Sequence, residues 1–293
     1  MRPLSFRESS KRPNLRERRR RLRGLMALFV LVLIGGVVYA VHWASYLPQF
    51  SVQEINVVGT NATQPEQVHA FVGNKLANAS LSLLSPRNIF LYPRGAIESA
   101  IKNSFPRIEK VAISRESLLA TAITVAIEER KAFARWCHDT THMDEECFAM
   151  DTRGFIFAAA TTSANGSAPY VFEGALSHST NSGQVASTTA IGQTYLPGRF
   201  AGVLALLERL GQTGFSPQTI STDGGQDFSI ALAQGFEIRA SFGADIVALV
   251  KNLELVLSSE GLRGREDQLE YIDLRFGNRV YFKLKGEKEI STE

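Results

Sequence analysis

The stretch LMALFVLVLIGGVVYAVHWA, residues 25–44, organises the rest of the chain because it contains no Asp, Glu, Lys or Arg. Twenty helical residues at about 1.5 Å each extend roughly 30 Å, which is the thickness of the hydrocarbon core of a bilayer. Tyr39, His42 and Trp43 lie near its end, where amphipathic rings favour the membrane interface. The stretch therefore predicts a single transmembrane helix.

The segment before this helix is strongly basic. Residues 1–24 contain ten basic and two acidic residues, so the positive-inside rule predicts a cytoplasmic N-terminus and an extracytoplasmic 45–293. Almost nothing in residues 1–24 is apolar, which predicts a disordered tail. Beside a membrane span such a tail contacts anionic lipid, and we expect no nucleic-acid partner.

Two alternatives compete with a membrane anchor. Val38 and Ala40 could serve a signal peptidase, although the apolar core of a signal peptide usually has only about 7 to 15 residues. A buried helix of a soluble protein could also be apolar on all sides. Both alternatives fit less well than a helix that stays in the membrane.

The exported part is acidic and contains both cysteines. The chain has 32 basic and 29 acidic residues, of which the tail holds 10 and 2, leaving about −5 for residues 45–293. This balance argues against binding of acidic polymers by bulk charge. In an oxidising compartment Cys137 and Cys147 are candidates for a disulfide. The alternatives are a metal site with His138 and His142, whose spacing fits no zinc signature, and free thiols. No cofactor is predicted.

Residues 50–130 predict a first domain in the order strand, helix, helix, strand, strand. The Val- and Ile-rich strand 50–60 precedes two segments with apolar residues at helical spacing, 65–76 and 94–104, the first with Thr63 as a candidate cap. A hairpin of 107–117 and 118–130 follows, and its second strand alternates between apolar and other residues. This order predicts a three-stranded sheet with both helices on one face.

Residues 131–285 predict a second domain that is mainly β with two packed helices. A polar stretch at 159–194 predicts a long loop with one strand. Elsewhere the patterns predict a meander of 131–137, 147–151 and 154–160, helices at 198–212 and 244–258, a hairpin around Gln234-Gly235, and a last hairpin around Gly277-Asn278. Residues 286–293 predict a short tail.

These motifs, placed just after a single N-terminal span, resemble the FtsQ/DivIB family of bacterial cell-division proteins. VQEINVVGT resembles the first strand of the family's POTRA domain, FPRIEKVAISRE its turn into the next strand, and ITVAIEERKAFARW its strand ending in Glu-Arg. CFAMDTRGFIF is similar to the family's strand, Asp-x-x-Gly turn and aromatic strand, and IDLRF-GN resembles its terminal turn. The resemblance covers most of 25–285 and departs from the family in the two cysteines and in 159–194.

The resemblance implies an α+β chain with one transmembrane helix, a POTRA-like domain and a C-terminal β domain. It also implies a single-pass protein of the inner (plasma) membrane at the division septum. Such a protein binds the bitopic proteins FtsB and FtsL to control septal wall synthesis. It meets other components of the divisome through its POTRA domain and its transmembrane helix.

The last predicted strand is the best candidate for a partner-binding edge. An edge strand offers unpaired backbone groups that a partner strand can extend, and aromatic and Arg residues dominate binding hot spots. The alternative places Phe276 and a second aromatic residue in the core. The candidate partner-binding residues are Arg275, Phe276, Asn278, Val280, Tyr281 and Phe282.

The sequence shows none of the common catalytic motifs, so we expect a protein that is not an enzyme and has no catalytic residues. It contains no G-x-S-x-G, no H-E-x-x-H and no P-loop. One alternative function is a POTRA-containing export or outer-membrane assembly factor that binds extended polypeptides. Another alternative is an exported enzyme, such as a wall hydrolase.

Overall fold

The computed structural model describes residues 15–78, 84–138, 147–160, 170–174, 176, 190–222 and 224–286 of the 293-residue chain, with side chains from residue 19 onward. The chain mixes α and β structure, with one N-terminal apolar helix and a large β-sheet. The described residues form two compact units. One lies within Met1–Ile101 and Val111–Ile127, the other within Lys102–Lys110 and Glu128–Glu293.

The N-terminal helix, α1, runs from Leu15 to Ser45. Its portion Arg19–Ser45 is long and apolar enough to cross a membrane. The helix begins ten residues before the predicted span, so the prediction of a disordered 1–24 is wrong for residues 15–24. Arg and Leu are good helix formers, and extending an existing helix avoids the cost of nucleation. Residues 1–14 lie outside the described chain.

Two helices and three strands follow α1 in the predicted order of strand, helix, helix, strand, strand. Their sheet has the order β1-β3-β2, and β1 and β3 run parallel. Helix α2 begins at Pro65, and its N-cap residue is Gln64, whose side chain makes no capping hydrogen bond. The prediction of Thr63 as the cap is therefore wrong. The bounds are β1 Glu54–Val58, α2 Pro65–Ala77, α3 Arg94–Ser104, β2 Ile108–Ser114 and β3 Ala122–Glu129.

Apolar side chains of α2 and α3 are buried at helical spacing, as the sequence pattern predicts. Strand β3 alternates between buried and less buried residues over most of its length. This alternation reflects the period of two of a β-strand, which places every second side chain on one face. The buried residues include Val68, Val72 and Leu76 of α2, Ile97 and Ile101 of α3, and Ile123 and Val125 of β3.

The second unit contains a nine-stranded sheet in the order β12-β11-β10-β9-β8-β7-β4-β5-β6. The meander β4-β5-β6 and the hairpins β9-β10 and β11-β12 are antiparallel, which confirms three sequence predictions. Its elements are β4 Ala134–Cys137, β5 Phe148–Met150, β6 Ile156–Ala159, β7 Tyr170–Gly174, α4 Phe200–Gln212, β8 Pro217–Thr222, β9 Asp227–Leu232, β10 Glu237–Ser241, α5 Ile246–Leu257, β11 Leu269–Phe276 and β12 Arg279–Leu284.

Both predicted helices of this unit contribute to one hydrophobic core with the sheet. Leu206 and Leu207 of α4 and Leu253 of α5 are buried in the same cluster as the sheet residues Ile230 and Ile272. Since apolar side chains alternate along the strands, this arrangement leaves the polar side chains of the same strands on the opposite face.

Candidate functional site

Strand β12 is the terminal strand of the large sheet within the described part of the chain. It pairs antiparallel with β11 through the turn Gly277-Asn278, where Gly277 has a positive φ of 67°. The side-chain amide of Asn252 on α5 donates to the Gly277 carbonyl at 3.0 Å and fixes the turn. The prediction that the last strand lies at a sheet edge is confirmed.

Three aromatic side chains of this hairpin are exposed, and we call them the aromatic edge: Phe276, Tyr281 and Phe282. Their exposed fractions are 54%, 52% and 41%. The rings of Phe276 and Tyr281 meet edge to face with centroids 5.3 Å apart. The alternative that Phe276 and a second aromatic are core residues is therefore wrong. Exposed aromatic groups clustered in this way are typical of binding surfaces.

Successive residues of β12 point to opposite faces of the sheet, as the sequence predicts for Tyr281 and Phe282. Tyr281 is paired with Asp273, on the polar face, whereas Phe282 is paired with the buried Ile272. Val280 shares the face of Phe282 and packs, partly buried, against the core. A strand added beside β12 would therefore contact an aromatic ring on either face.

The direction of one backbone hydrogen bond shows which groups of β12 face outward. The N–H of Lys285, just past the end of β12, donates to the carbonyl of Gln268 at 2.8 Å and so points toward β11. Backbone donors along a strand alternate in direction. The N–H groups of Val280 and Phe282 therefore point away from β11, where a partner strand can accept them.

Arg275 lies next to the aromatic edge but is held by two carboxylates. Its guanidinium donates to Asp273 at 2.6 Å and to Asp227 on β9 at 2.8 Å. These hydrogen bonds raise the pKa of Arg275 above its ordinary value. The guanidinium carbon is 5.5 Å from the centroid of the Phe276 ring, so Arg275 supports that ring. The guanidinium of Arg275 is thus engaged by Asp273 and Asp227 while it lies beside the Phe276 ring.

Asp273 and Asp227 were not among the residues predicted for the site. Asp273 is 4% exposed and is two positions before Arg275, the spacing that places two strand residues on one face. Asp227 accepts from the hydroxyl of Ser241 at 2.7 Å as well as from Arg275, and both hydrogen bonds lower the pKa of Asp227. The Asp-x-Arg spacing could have indicated from the sequence that Asp273 pairs with Arg275. No such local spacing exists for Asp227, which lies on a strand remote in sequence.

The polar face of the sheet beside this network forms a cleft of about 280 Å³. Its charged groups are paired, with Arg239 donating to Glu237 at 3.0 Å and Arg275 donating to Asp227. Arg239 also lies 3.7 Å from the centroid of the Tyr271 ring. The two arginines and two carboxylates that line this cleft balance its charge.

A disulfide joins Cys137 at the end of β4 to Cys147 just before β5. The two strands are antiparallel neighbours, and the Cα atoms of the two cysteines are 4.4 Å apart. Among the described residues, His, Cys, Asp and Glu side chains form no group of three or more suited to a metal ion. His142, the more distant histidine of the alternative metal site, lies outside the described residues.

No family model matches the chain, and no curated protein matches it. The exposed edge strand with its aromatic residues is the feature of the described chain that is best suited to binding another polypeptide.

Proposed function

We propose that this chain is a non-enzymatic scaffold of the bacterial division machinery, similar to FtsQ/DivIB, that binds FtsB/FtsL-like bitopic proteins at the division septum. The partner adds a strand to β12, and this interaction controls septal wall synthesis. The exposed edge of β12, bordered by aromatic residues on both faces, is the observation that carries the proposal.

Backbone and side chains contribute different parts of this interaction. The outward N–H groups of Val280 and Phe282 supply donors for main-chain pairing, which gives affinity with little dependence on partner sequence. Tyr281 and Phe282 supply apolar area that a partner side chain can cover, which gives specificity. Arg275, braced by Asp273, keeps Phe276 in place beside Tyr281.

The N-terminal part of the chain also supports the proposal. Helix α1 is long and apolar enough for one membrane crossing, and its N-terminal end is rich in Arg. The β-α-α-β-β order with β1 and β3 parallel fits a POTRA domain placed directly after that span. A bitopic partner anchored in the same membrane would meet the chain at a high effective concentration.

The experiment compares two substitutions at one edge position in the full-length chain, reconstituted in lipid nanodiscs with a purified FtsB/FtsL-like pair. Val280→Ala keeps the outward N–H, whereas Val280→Pro removes it with little further change in side-chain volume. We expect Val280→Pro to weaken binding far more than Val280→Ala. Equal affinities of the two variants would contradict strand addition at β12.

Septal localisation needs a separate measurement. A fluorescent protein fused to the N-terminus should form a midcell band in dividing bacteria. A uniform membrane signal would argue against the division role. Strand addition at β12 is tested independently by the binding experiment with the Val280 variants.

A further inference from the structure

Exposed apolar side chains in the first unit are concentrated at one end. Between Tyr46 and Ile127, six large apolar residues of the described chain are prominently exposed: Tyr46, Val58, Phe90, Leu91, Leu118 and Leu119. Leu118 and Leu119 are exposed by 77% and 67%, and Phe90 and Leu91 by 54% and 50%. We call these four residues the apolar end. Patches of this kind on a folded domain mark an interaction surface.

Hydrogen bonds tie the loop that carries Phe90 and Leu91 to the last residue of α1. The hydroxyl oxygen of Ser45 accepts from the N–H of Ser85 at 3.1 Å, and the Ser45 carbonyl accepts from the side-chain amide of Asn88 at 3.2 Å. The N–H of Ile89 then donates to the Phe50 carbonyl at 2.8 Å. This loop is therefore fixed beside the end of the helix.

Strand direction places Leu118 and Leu119 at the same end of the unit. Strand β1 starts shortly after α1, and it is parallel to β3 with Glu54 opposite Ala122. Parallel strands begin at the same edge of a sheet, so the turn that leads into β3 lies where the chain arrives from α1. The N–H of Gln53 donates to the Thr121 carbonyl at 2.9 Å, which extends this pairing toward the turn.

Arg115 connects the loop and the turn. Its guanidinium donates to the Leu118 carbonyl at 3.0 Å and lies 5.7 Å from the centroid of the Phe90 ring. A second ring, that of Tyr92, is 6.0 Å away. Arg115 thus links the turn that carries Leu118 and Leu119 to the loop that carries Phe90 and Leu91. The same loop is hydrogen-bonded to the last residue of α1.

We infer that the apolar end inserts into the interfacial layer of the membrane that α1 crosses, on the side where α1 ends. This inference rests on the membrane span of the proposed function. Trp43 and Tyr46, both exposed near the end of α1, are side chains that favour the same layer. Phe and Leu side chains buried there exchange water for acyl chains, as in interfacial anchors. We favour the bilayer over a protein partner because the loop that carries Phe90 and Leu91 is hydrogen-bonded to Ser45, at the end of the membrane-spanning helix. These hydrogen bonds keep the loop close to the membrane surface.

The experiment measures the environment of single spin labels on the full-length chain in nanodiscs of phosphatidylcholine and phosphatidylglycerol. Labels are attached in separate variants at Leu118→Cys, Leu119→Cys and Phe90→Cys, with the native disulfide intact. Val58→Cys is the matched control, since Val58 is 48% exposed but lies at the other end of β1. Frequent collisions of a label with oxygen indicate that the label lies in lipid. Frequent collisions with a water-soluble nickel chelate indicate that it is exposed to solvent.

We expect oxygen collisions to exceed chelate collisions at Leu118, Leu119 and Phe90, and the order to reverse at Val58. Chelate collisions that dominate at all three positions would overturn the inference, and so would few collisions with either reagent, which would indicate that protein covers the apolar end. A label at Leu33 in α1 tests the membrane span separately from the interfacial contact. If the Leu33 label is in lipid while the other three are in water, only the interfacial contact fails; if the Leu33 label is also in water, the span fails.

Discussion

The rings of Phe276 and Tyr281 meet edge to face across the C-terminal hairpin, with an angle of 88° between their planes. Both rings are more than half exposed, so this pair organises a surface and not a core. Phe282, on the next position of β12, extends the aromatic surface to the other face of the sheet. The three side chains form a surface on which the proposed partner strand would pack.

Truncating the aromatic edge should weaken partner binding and leave folding intact. Tyr281→Ala and Phe282→Ala each remove a side chain of the proposed partner-binding edge, and we expect a loss of about 2 kcal/mol, or roughly 30-fold in Kd. The free energy of unfolding should change by at most about 1.5 kcal/mol, because only about half of each side chain is buried. Titration of nanodisc-embedded chain with an FtsB/FtsL-like pair measures the affinity. Leu255→Ala, which removes a 58% exposed leucine from α5, is the control.

The carboxyl group of Asp227 should make stability depend on pH in the acid range. Hydrogen bonds from Ser241 and then Arg275 lower the pKa of Asp227, so its contribution is present above the unfolded value of about 3.9. That contribution is lost as the pH falls through the lower, folded value. Because the side chain is 39% exposed, we expect only about 0.5–1 kcal/mol, and less at high salt.

Asp227→Asn tests this linkage. The variant should lack the pH-dependent contribution of the Asp227 carboxylate to the free energy of unfolding. Its urea midpoint should therefore fall less steeply than that of the wild type below about pH 4. Urea titrations at several pH values in detergent provide the measurement. Parallel curves for the two proteins would show that Asp227 does not contribute in this way.

Gly59 should be the least replaceable glycine of the first unit. It has a φ of 85°, and a Cβ atom there would collide with the carbonyl oxygen of Ile127. Since that oxygen belongs to the backbone, it cannot move aside, and we expect Gly59→Ala to destabilise the chain by about 2–3 kcal/mol.

Gly73 is the matched control for Gly59. It lies inside α2, and its Cβ would sit 3.9 Å from the Ile55 side chain, an ordinary contact. Gly73→Ala should therefore stabilise the chain by about 0.5–1 kcal/mol. Urea denaturation monitored by circular dichroism distinguishes the two variants, and equal effects would contradict the steric argument.

Sequence patterns predict the elements that are defined by residues close together in the chain. They do not predict elements that depend on pairing with strands remote in sequence. The hairpin around Gly277-Asn278 follows from turn chemistry and alternation over a few residues. Strand β8 was not predicted, because Pro217–Thr222 contains only one bulky apolar residue, Ile220, among Thr, Ser and Gln. This strand is stabilised by pairing with β7 and β9 on its two sides, and β7 is remote in sequence.

The same limit applies to the candidate site. Aromatic residues on an edge strand can be recognised from the sequence, and the structure exposes the three that were predicted. The brace behind them depends on Asp227, which lies 48 positions before Arg275, and no local pattern joins the two. The sequence predicts Arg275 as a partner-binding residue, whereas in the fold its guanidinium is paired with Asp273 and Asp227.

Removing the disulfide should destabilise the second unit. In the chain-entropy view, closing a loop of about ten residues stabilises the fold by roughly 2–3 kcal/mol. We expect the double variant Cys137→Ser/Cys147→Ser to lower the Tm by about 5–10 °C. Thermal scans with and without dithiothreitol test this, since the reductant should shift the wild type and leave the double variant unchanged.

Arg130 and Asp151 form the ion pair whose loss should be most damaging. The guanidinium of Arg130 donates to Asp151 at 2.6 Å and also to the Pro106 carbonyl at 3.0 Å. Both side chains are largely buried, with 15% and 8% exposed. Arg130→Ala would leave the Asp151 carboxylate buried without its cation, and such a loss costs about 3–5 kcal/mol.

Backbone hydrogen bonds to Asp151 should keep the cost of Arg130→Ala near the lower end of the range of about 3–5 kcal/mol. The carboxylate also accepts from the N–H groups of Arg153 at 2.8 Å and Phe155 at 3.0 Å, which continue to stabilise its charge. We therefore expect Arg130→Ala to destabilise the chain by about 3 kcal/mol. Arg130→Lys should lie between the wild type and the alanine variant, because it keeps the charge but not both hydrogen bonds.

A second arginine provides a control with the same geometry and a different environment. Arg153 pairs with Glu109 at 2.6 Å, but the Arg153 side chain is 70% exposed. Solvent screening should limit the effect of Arg153→Ala to less than about 1 kcal/mol. Urea unfolding of both variants in detergent measures the difference. If the two alanine variants were equally stable, burial would not determine the strength of these pairs, and the buried pair would have no special structural role.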